Sequence, residues 1–438
     1  MEQRKQLCIG LSLAVTWLMG NGWRRPDSRV EDIYDIGFYT GLARRAEVAG
    51  LDFLFRPDAL FLDGQALAQS PGFSSLDPTV LVAALAGATQ RIGLVTTAAT
   101  TFNPPYVVAR QLQSLNWVTR GRVGWNVVTA LDGNRNFGAA AMPSSAERYR
   151  KAREFVQVVR GLWRSYPQSA LRCERAGGVY ADASCVRPLD FEGEFFSVQG
   201  PLNVPDPGGG GMPLFQAGAS PWGRDFAACI ADAVFAATPD IASGQELRQD
   251  LRERAAAYGR PADAIRVLPG LSLFLAPTER QARELYEDTH VAQDMHRKYA
   301  RVQQLLGIDL SQLDPAQALQ LDMLPAGYDA PGQGQTHARL MRRLIERETP
   351  SVQDFLSRPE VSGSAHWQFI GTPQGAIAAI GERFQAGAAD GFIALPGGAW
   401  QSLDLFLQEV VPGLARAGLF RTRYEGMTLR AHLGMPEE

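Results

Sequence analysis

Short apolar runs alternate with longer amphipathic stretches along most of this 438-residue chain. Such alternation is typical of βαβ units, because parallel neighbouring strands need a crossover segment, usually a helix, between them. We predict eight strands, at residues 7–14, 51–55, 92–97, 123–128, 213–217, 233–237, 267–274 and 391–395. Eight repeats favour an α/β fold of the (β/α)8 TIM barrel type over an open doubly wound sheet, which usually has about five or six strands.

Amphipathic helices are predicted between these strands, most clearly at residues 37–49, 79–89, 105–115, 146–163 and 224–230. Three longer segments interrupt the regular spacing, at 134–145, 165–213 and 277–365. The last contains two helical runs, and we predict that it is a helical insertion between strands seven and eight. The predicted organisation is therefore a single domain over residues 1–438 with the insertion at 277–365.

Charge, cysteine and histidine content exclude several classes of function. The formal net charge is −3, so no basic surface is available for nucleic acid or an anionic membrane. The apolar run at 7–19 is far shorter than the roughly 20 residues of a membrane span, and we interpret it as the first strand rather than a secretory signal. Four cysteines without C-x-x-C spacing suggest neither disulfides nor zinc, and all 5 histidines follow residue 289. We expect a cytoplasmic protein without metal that acts on a small molecule.

Polar residues near the carboxyl ends of the predicted strands are the first candidates for a ligand site, because that end of a barrel faces the ligand. Asp58 follows strand two, Thr97 and Thr101 lie at the end of strand three, and Asn126 lies within strand four. From local pattern alone, Asp58 also fits a helix N-cap and the threonines fit ordinary strand positions. Asn126 fits a ligand contact or an internally satisfied amide equally well.

A turn of small residues follows strand five and leads directly into a helix. It contains Gly218, Ser220 and Gly223. Free backbone N–H groups and the helix dipole at such a turn attract an anion, and phosphate is the natural ligand. An ordinary serine N-cap is the alternative. Since the chain lacks recognisable motifs for a catalytic triad, a metal site or a phosphate-binding P-loop, we expect that a cofactor performs the chemistry.

Several segments, taken together and in order, resemble the bacterial-luciferase-like flavin monooxygenases. They include GNGWRRP, RIGLVTTAATTFNPPYVVARQ, GRVGWNVVTA and QAGASPWGRDFAA. The chain looks most like the branch with nitrilotriacetate monooxygenase, dibenzothiophene sulfone monooxygenase and pristinamycin IIA synthase. The resemblance implies a TIM barrel with an insertion after strand seven. It also implies FMN as cofactor, used as FMNH2, a separate NAD(P)H:flavin reductase as partner, and O2 as second substrate.

The same resemblance implies roles for particular residues, although it assigns no catalytic side chain. Asp58, Thr97 or Thr101, Asn126 and the backbone of Val128 are expected to line the flavin ring. Tyr149 and Ser220 are expected to hold the flavin phosphate, and the predicted cofactor-binding set is completed by Ser145 and Gly218.

Four positions depart from the family pattern, which tends to have histidine where this chain has Met19, Trp117, Ser145 and Phe191. Together with the aromatic residues expected near the rim, Trp117, Phe137, Trp222 and Phe392, they indicate a small apolar or heteroaromatic substrate. The predicted function is an FMNH2-dependent monooxygenase of a two-component system. The alternative is a flavin-binding protein without turnover. Barrels of this family commonly pair, so a homodimer or homotetramer is expected.

Overall fold

The computed structural model describes residues 6–62, 64–68, 70–72, 74–218, 220–290, 295–328, 335–358, 361 and 366–436. Its strands in chain order are β1 (Cys8–Ser12), β2 (Phe53–Phe55), β3 (Gly93–Ala99), β4 (Val123–Val128), β5 (Leu171–Glu174), β6 (Val179–Ala181), β7 (Phe191–Glu192), β8 (Ser197–Val198), β9 (Leu214–Gln216), β10 (Ala233–Ala236), β11 (Arg266–Leu275), β12 (Trp367–Gly371) and β13 (Gly391–Pro396).

Eight of these strands close into a parallel barrel in the order β1, β2, β3, β4, β9, β10, β11, β13. The ring is complete because β1 pairs with both β2 and β13. All eight predicted strands are therefore confirmed, and so is the TIM barrel. The short strands β5 to β8 form two small antiparallel hairpins within the segment that we predicted to be irregular, so that prediction was incomplete.

The helices in chain order are α1 (Ile36–Val48), α2 (Gly64–Leu67), α3 (Pro78–Ala86), α4 (Pro105–Thr119), α5 (Ser145–Arg164), α6 (Pro221–Ile230), α7 (Ile241–Ala257), α8 (Glu279–His290), α9 (Met295–Leu306), α10 (Gln335–Glu348), α11 (Val352–Ser357), α12 (Pro373–Gln385), α13 (Trp400–Leu405), α14 (Val411–Arg416) and α15 (Leu429–His432). The five clearest predicted helices correspond to α1, α3, α4, α5 and α6. Their N-termini follow local chemistry: Asp35, Asp77 and Ser144 accept hydrogen bonds from the first turns of α1, α3 and α5.

The segment between β11 and β13 is predominantly helical, as predicted, but it also contains a strand that the sequence analysis missed. Helices α8 to α11 come first, and residues from α9, α10 and α11 share a hydrophobic cluster of their own. Strand β12 then pairs with residues 271–275 of β11. Strand β11 is ten residues long, and β10 pairs only with its residues 266–269. The rest of that edge of β11 is therefore available to β12. The division of the chain into a single domain stays a prediction.

Inward-facing side chains fill the barrel in layers contributed by alternate strands, as TIM barrels require. Aromatic residues dominate the middle of the barrel, where Phe53 packs on Phe215 and Phe55 packs on Phe235, with ring centroids 5.1 and 5.3 Å apart. The strand pairing and the alternation of side chains place Asn126 in the layer of Phe55 and Phe235. The next layer toward the carboxyl ends of the strands contains the small residues Ser12, Thr97 and Gly270. An aromatic floor thus underlies an opening lined by small residues.

The C-terminal segment closes the opposite, amino-terminal end of the barrel. Leu429 is fully buried and lies against Gly93 and Gly124, so closely that a Cβ at either glycine would come within 2.7 Å of its methyl groups. The Arg421 guanidinium pairs with the buried Asp52 carboxylate at the same end. Since this end is sealed by side chains, a ligand site in the barrel can only be at the carboxyl end, which we call the mouth.

Candidate active site

A buried polar pair lies at the mouth, on the neighbouring strands β3 and β4. Asn126 is opposite Thr97 in the strand register, and its Nδ2 donates to the Thr97 hydroxyl at 2.9 Å. The Thr97 hydroxyl in turn donates to the Arg56 carbonyl at 2.6 Å. The Asn126 Oδ1 atom is buried and has no hydrogen-bond partner among the described residues. An unpaired acceptor of this kind is unfavourable, and a ligand that donates a hydrogen bond would satisfy it.

Thr101 and Val128, the other predicted contacts on these strands, connect the two loops that follow β3 and β4. The Thr101 hydroxyl accepts a hydrogen bond from the Ala130 backbone N–H at 3.0 Å. The Val128 carbonyl accepts from both the N–H and the hydroxyl of Thr100, at 2.9 and 3.2 Å. Both residues lie at the mouth, but these polar groups already hold the loops together.

Asp58 lies just beyond β2 and is half-buried. Burial, and secondly the nearby Asp77 carboxylate, raise the pKa of Asp58 above its usual value. No helix begins at Asp58, since the next long helix, α3, has Asp77 as its N-cap. The helix-cap interpretation of Asp58 is therefore wrong.

The turn from β9 into α6 brings three of the predicted phosphate-site residues into contact. A Cβ atom on Gly218 would lie 2.6 Å from the Tyr149 hydroxyl oxygen, and one on Gly223 would lie 2.8 Å from it. The Ser220 hydroxyl accepts a hydrogen bond from the Gly223 N–H at 3.1 Å and so caps α6. Glycine is needed at both positions because any side chain would collide with the tyrosine.

Helix α5 supplies Tyr149 and Ser145, together with a basic residue that the sequence analysis did not consider. Tyr149 is buried and packs on Phe226, whereas Ser145 is exposed in the first turn of the helix. Arg148 donates to the Ser145 hydroxyl at 3.3 Å, and its buried Nε has no partner within the described parts of the chain. Burial lowers the pKa of Arg148. Its position directly before Tyr149 was the sequence signal that could have identified it as a candidate for the site. An anion beside this turn would meet a cation, a phenol and a helix N-terminus.

Only part of the expected aromatic rim is at the mouth. Phe137 stacks on Phe102 with centroids 4.7 Å apart, in the loops after β4 and β3, and Trp222 is half-exposed at the start of α6. Phe392, in contrast, is buried and packs outward against Phe406, because it occupies an outward position near the start of β13. Trp117 lies in the last turns of α4, beside the base of the barrel, and donates to the Pro205 carbonyl at 2.7 Å. The rim prediction was wrong for Phe392 and Trp117.

Comparison with known proteins agrees with this architecture. The profile of a family described as luciferase-like monooxygenase matches residues 19–390. The chain belongs to the luciferase-like monooxygenase family. It is 37% identical to nitrilotriacetate monooxygenase component A of Aminobacter aminovorans, over 99% of this chain and 98% of that protein. It is 33% identical to dibenzothiophene-sulfone monooxygenase of Rhodococcus erythropolis, over 99% and 97% of the two chains.

Two solved structures have a similar fold. EDTA monooxygenase from Chelativorans sp. BNC1 superposes with a TM-score of 0.82 at 29% identity, covering 98% of this chain and 99% of that one. Riboflavin lyase, solved with modified FMN and riboflavin, also has a TM-score of 0.82 at 29% identity, covering 99% and 97%.

Family membership confirms the predicted enzyme class, a flavin-dependent monooxygenase, and the predicted branch of the family. It favours this function over a flavin-binding protein without turnover. In the described part of the chain, no helix is both long and apolar enough to cross a membrane.

Proposed function

We propose that this luciferase-like monooxygenase is the oxygenating component of a two-component system, that it binds FMNH2 at the barrel mouth, and that it transfers one oxygen atom of O2 to a small neutral substrate. The observation that carries the proposal is the unpaired, buried Oδ1 of Asn126 at the mouth. Beside it, the β9–α6 turn lets the Tyr149 hydroxyl approach the N-terminus of α6, because Gly218 and Gly223 lack side chains. The mouth therefore fits a flavin with a hydrogen-bonding ring and an anionic tail.

The residues of this chain would divide the work of binding between ring and tail. Asn126, Thr97 and Asp58 would contact the ring, with the loop held in place by Thr101 and Val128. Tyr149, Ser220, Gly218, Ser145 and the additional Arg148 would hold the phosphate. FMNH2, when bound, supplies the two electrons that activate O2. The similar nitrilotriacetate monooxygenase is named as a component A, and this supports a separate NAD(P)H:flavin reductase as the source of FMNH2.

Water must be excluded from the reacting centre, because water favours side reactions that destroy a reactive intermediate before it can oxidise the substrate. The aromatic floor of Phe55 and Phe235 and the stacked pair Phe102 and Phe137 provide apolar walls. The basic Lys151 beside the mouth is already bound to the Thr101 carbonyl at 2.7 Å. These features support a neutral heteroaromatic or apolar substrate over a polycarboxylate. Saturation-transfer NMR with FMN present, using neutral heteroaromatics and polycarboxylates, tests this; binding of polycarboxylates alone would contradict it.

The Asn126→Leu substitution tests the flavin site directly. It removes the acceptor and donor at the mouth, and we expect FMN affinity, measured by quenching of flavin fluorescence, to fall about fivefold to tenfold. The matched control is Gln113→Leu, which removes another buried amide. The Gln113 side chain lies away from the mouth and donates a hydrogen bond of 3.3 Å to the Pro205 carbonyl. Equal affinities of the Asn126 variant and the unmodified protein would show that the ring does not bind there.

Rapid mixing tests the reaction itself. Protein mixed with photoreduced FMN and then with O2 should reoxidise the flavin with kinetics different from those of free FMNH2. Identical traces with and without protein would rule out the proposed oxygenase chemistry.

Light scattering of the purified chain would test the expected homodimer or homotetramer.

A further inference from the structure

A histidine from outside the barrel strands lies inside the mouth. His366 directly precedes β12, the strand that the sequence analysis missed. Its imidazole packs on Phe235 with ring centroids 4.9 Å apart. A Cβ atom built on Gly270 would lie 2.6 Å from the His366 Nδ1 atom. His366 therefore occupies the space that a side chain at position 270 would fill, in the inward-facing layer above the aromatic floor.

The position of Gly270 determines which side of the mouth His366 occupies. Gly270 belongs to β11, the seventh strand of the barrel, whereas Thr97 belongs to β3, the third strand. Third and seventh strands of eight face each other across a barrel, and the strand register places Gly270 and Thr97 in the same layer. The residues proposed to bind flavin come from β2, β3, β4, the β9–α6 turn and α5. His366 faces them from the opposite wall of the mouth.

The hydrogen bonding of the imidazole leaves one nitrogen available. The Ala236 backbone lies close enough to the ring to oppose the lowering of its pKa, whereas Nδ1 is buried and has no partner among the residues described. A ring nitrogen facing a carbonyl carries the proton, so the Nδ1 lone pair is the available acceptor. Burial lowers the pKa of His366 to about 4, which keeps the ring neutral near pH 7.

We infer that His366 is a substrate-positioning residue whose Nδ1 accepts a hydrogen bond from an N–H or O–H group of the bound organic substrate. This inference rests on the proposed function, because it takes the opposite wall to be the flavin site. It narrows the substrate class to neutral heteroaromatic molecules that carry a hydrogen-bond donor. A lost acceptor contact of this type reduces affinity roughly fivefold.

Indole and 1-methylindole are suitable probes, because both are neutral and heteroaromatic but only indole has an N–H donor. With FMN present, we expect indole to bind the unmodified protein about fivefold more tightly than 1-methylindole. His366→Phe should abolish this preference, and His366→Asn, which retains an acceptor, should restore part of it. Equal affinities in the unmodified protein, failure of both probes to bind, or a preference that survives His366→Phe would each overturn the inference.

Nitrogen-15 labelling of histidine provides a readout independent of affinity, because the chain has only 5 histidines. Indole added to the FMN-loaded protein should shift the His366 Nδ1 resonance. His432 is the matched control: it is also buried, with its pKa lowered to about 4, but it lies at the closed base beside Tyr424. A shift of His366 with FMN alone would assign the contact to flavin and overturn the substrate role. Equal shifts of both histidines would show a global effect and also count against it.

The two failures are distinguishable. If FMN binds the unmodified protein and Asn126→Leu weakens it, but indole leaves His366 unaffected, only the inference about His366 fails. If Asn126→Leu has no effect on FMN affinity, the flavin site itself is misplaced and the proposed function fails first.

Discussion

At the scale of single residues, the same side chain can serve structure and ligand binding together. Ser220 is the clearest case under the proposed function, since its hydroxyl oxygen accepts a hydrogen bond from the Gly223 N–H and we propose that its proton bonds to the flavin phosphate. Asn126 is the reverse case: one of its amide groups is used internally and the other is unpaired. Thr101 and Val128 lie at the mouth, but their polar groups mainly hold the two neighbouring loops together.

The dual role of Ser220 leads to a prediction with a closely matched control. Ser220 and Thr372 both cap a helix that begins with proline, and both accept from a glycine N–H three residues later. Each alanine substitution should lower the free energy of unfolding by about 1 kcal/mol through loss of the cap. Only Ser220→Ala should also weaken FMN binding, by a few-fold. Urea unfolding and flavin fluorescence measure the two effects; equal FMN affinity of both variants would mean that Ser220 is a cap alone.

At the scale of elements, the β9–α6 turn and helix α5 act as one unit, because Tyr149 from the helix fills the space above two glycines of the turn. Neither element forms this arrangement without the other. Their contact places the Tyr149 hydroxyl at the N-terminus of α6, where we propose that the phosphate binds. Helix and turn must therefore keep their separation for the proposed site to remain open.

Glycine substitutions test this contact between elements. Gly218→Ala places a methyl group 2.6 Å from the Tyr149 hydroxyl, so we expect a loss of about 1–3 kcal/mol in unfolding free energy and a marked loss of FMN affinity. Gly41→Ala is the contrasting change, since α1 leaves open space around that position, and it should stabilise the protein by roughly 0.5–1 kcal/mol. Full FMN affinity in the Gly218 variant would remove the turn from the binding site.

At the scale of the whole molecule, the barrel has a closed base and an open mouth, and each end contains a histidine with a lowered pKa. His432 packs at the base against Tyr424, near the ion pair of Arg421 and Asp52. His366 lies in the mouth. Burial lowers the pKa of both histidines to about 4, from an ordinary value of 6.5.

These two histidines predict how stability depends on pH. Between pH 6.5 and about 4 the unfolded chain binds protons on both imidazoles while the folded chain does not, so stability is complete above pH 6.5 and falls as the pH is lowered through this range. By pH 5 the loss is on the order of 2 kcal/mol per histidine. Burial raises the pKa of Asp58 and Asp232, which partly offsets this loss. Urea unfolding at pH 7 and pH 5 should show that His432→Phe loses less unfolding free energy between these pH values than the unmodified protein does. An unchanged pH dependence would contradict the lowered pKa of His432.

Much of this architecture could be predicted because it repeats along the chain. Each barrel strand is an apolar run followed by an amphipathic helix, and these periodicities are local properties of the sequence. Strand β12 escaped prediction although helix α12 follows it, because its five residues include a glutamine and a glycine and so give only a short apolar run. Phe392 was misplaced for a related reason: a shift of one residue along a strand reverses the side on which a side chain lies.

The sequence alone determined the barrel, the insertion after its seventh strand, the family, and the candidate residues of β2, β3, β4 and α6, because local periodicity and motif order contain that information. Tertiary structure decided which buried polar atoms of the described residues lack a hydrogen-bond partner, among them the Asn126 Oδ1, the Arg148 Nε and the His366 Nδ1. It also brought Tyr149 onto the two glycines and placed His366 opposite Thr97. Those relations join residues far apart in the chain, and only the folded barrel brings them to the same mouth.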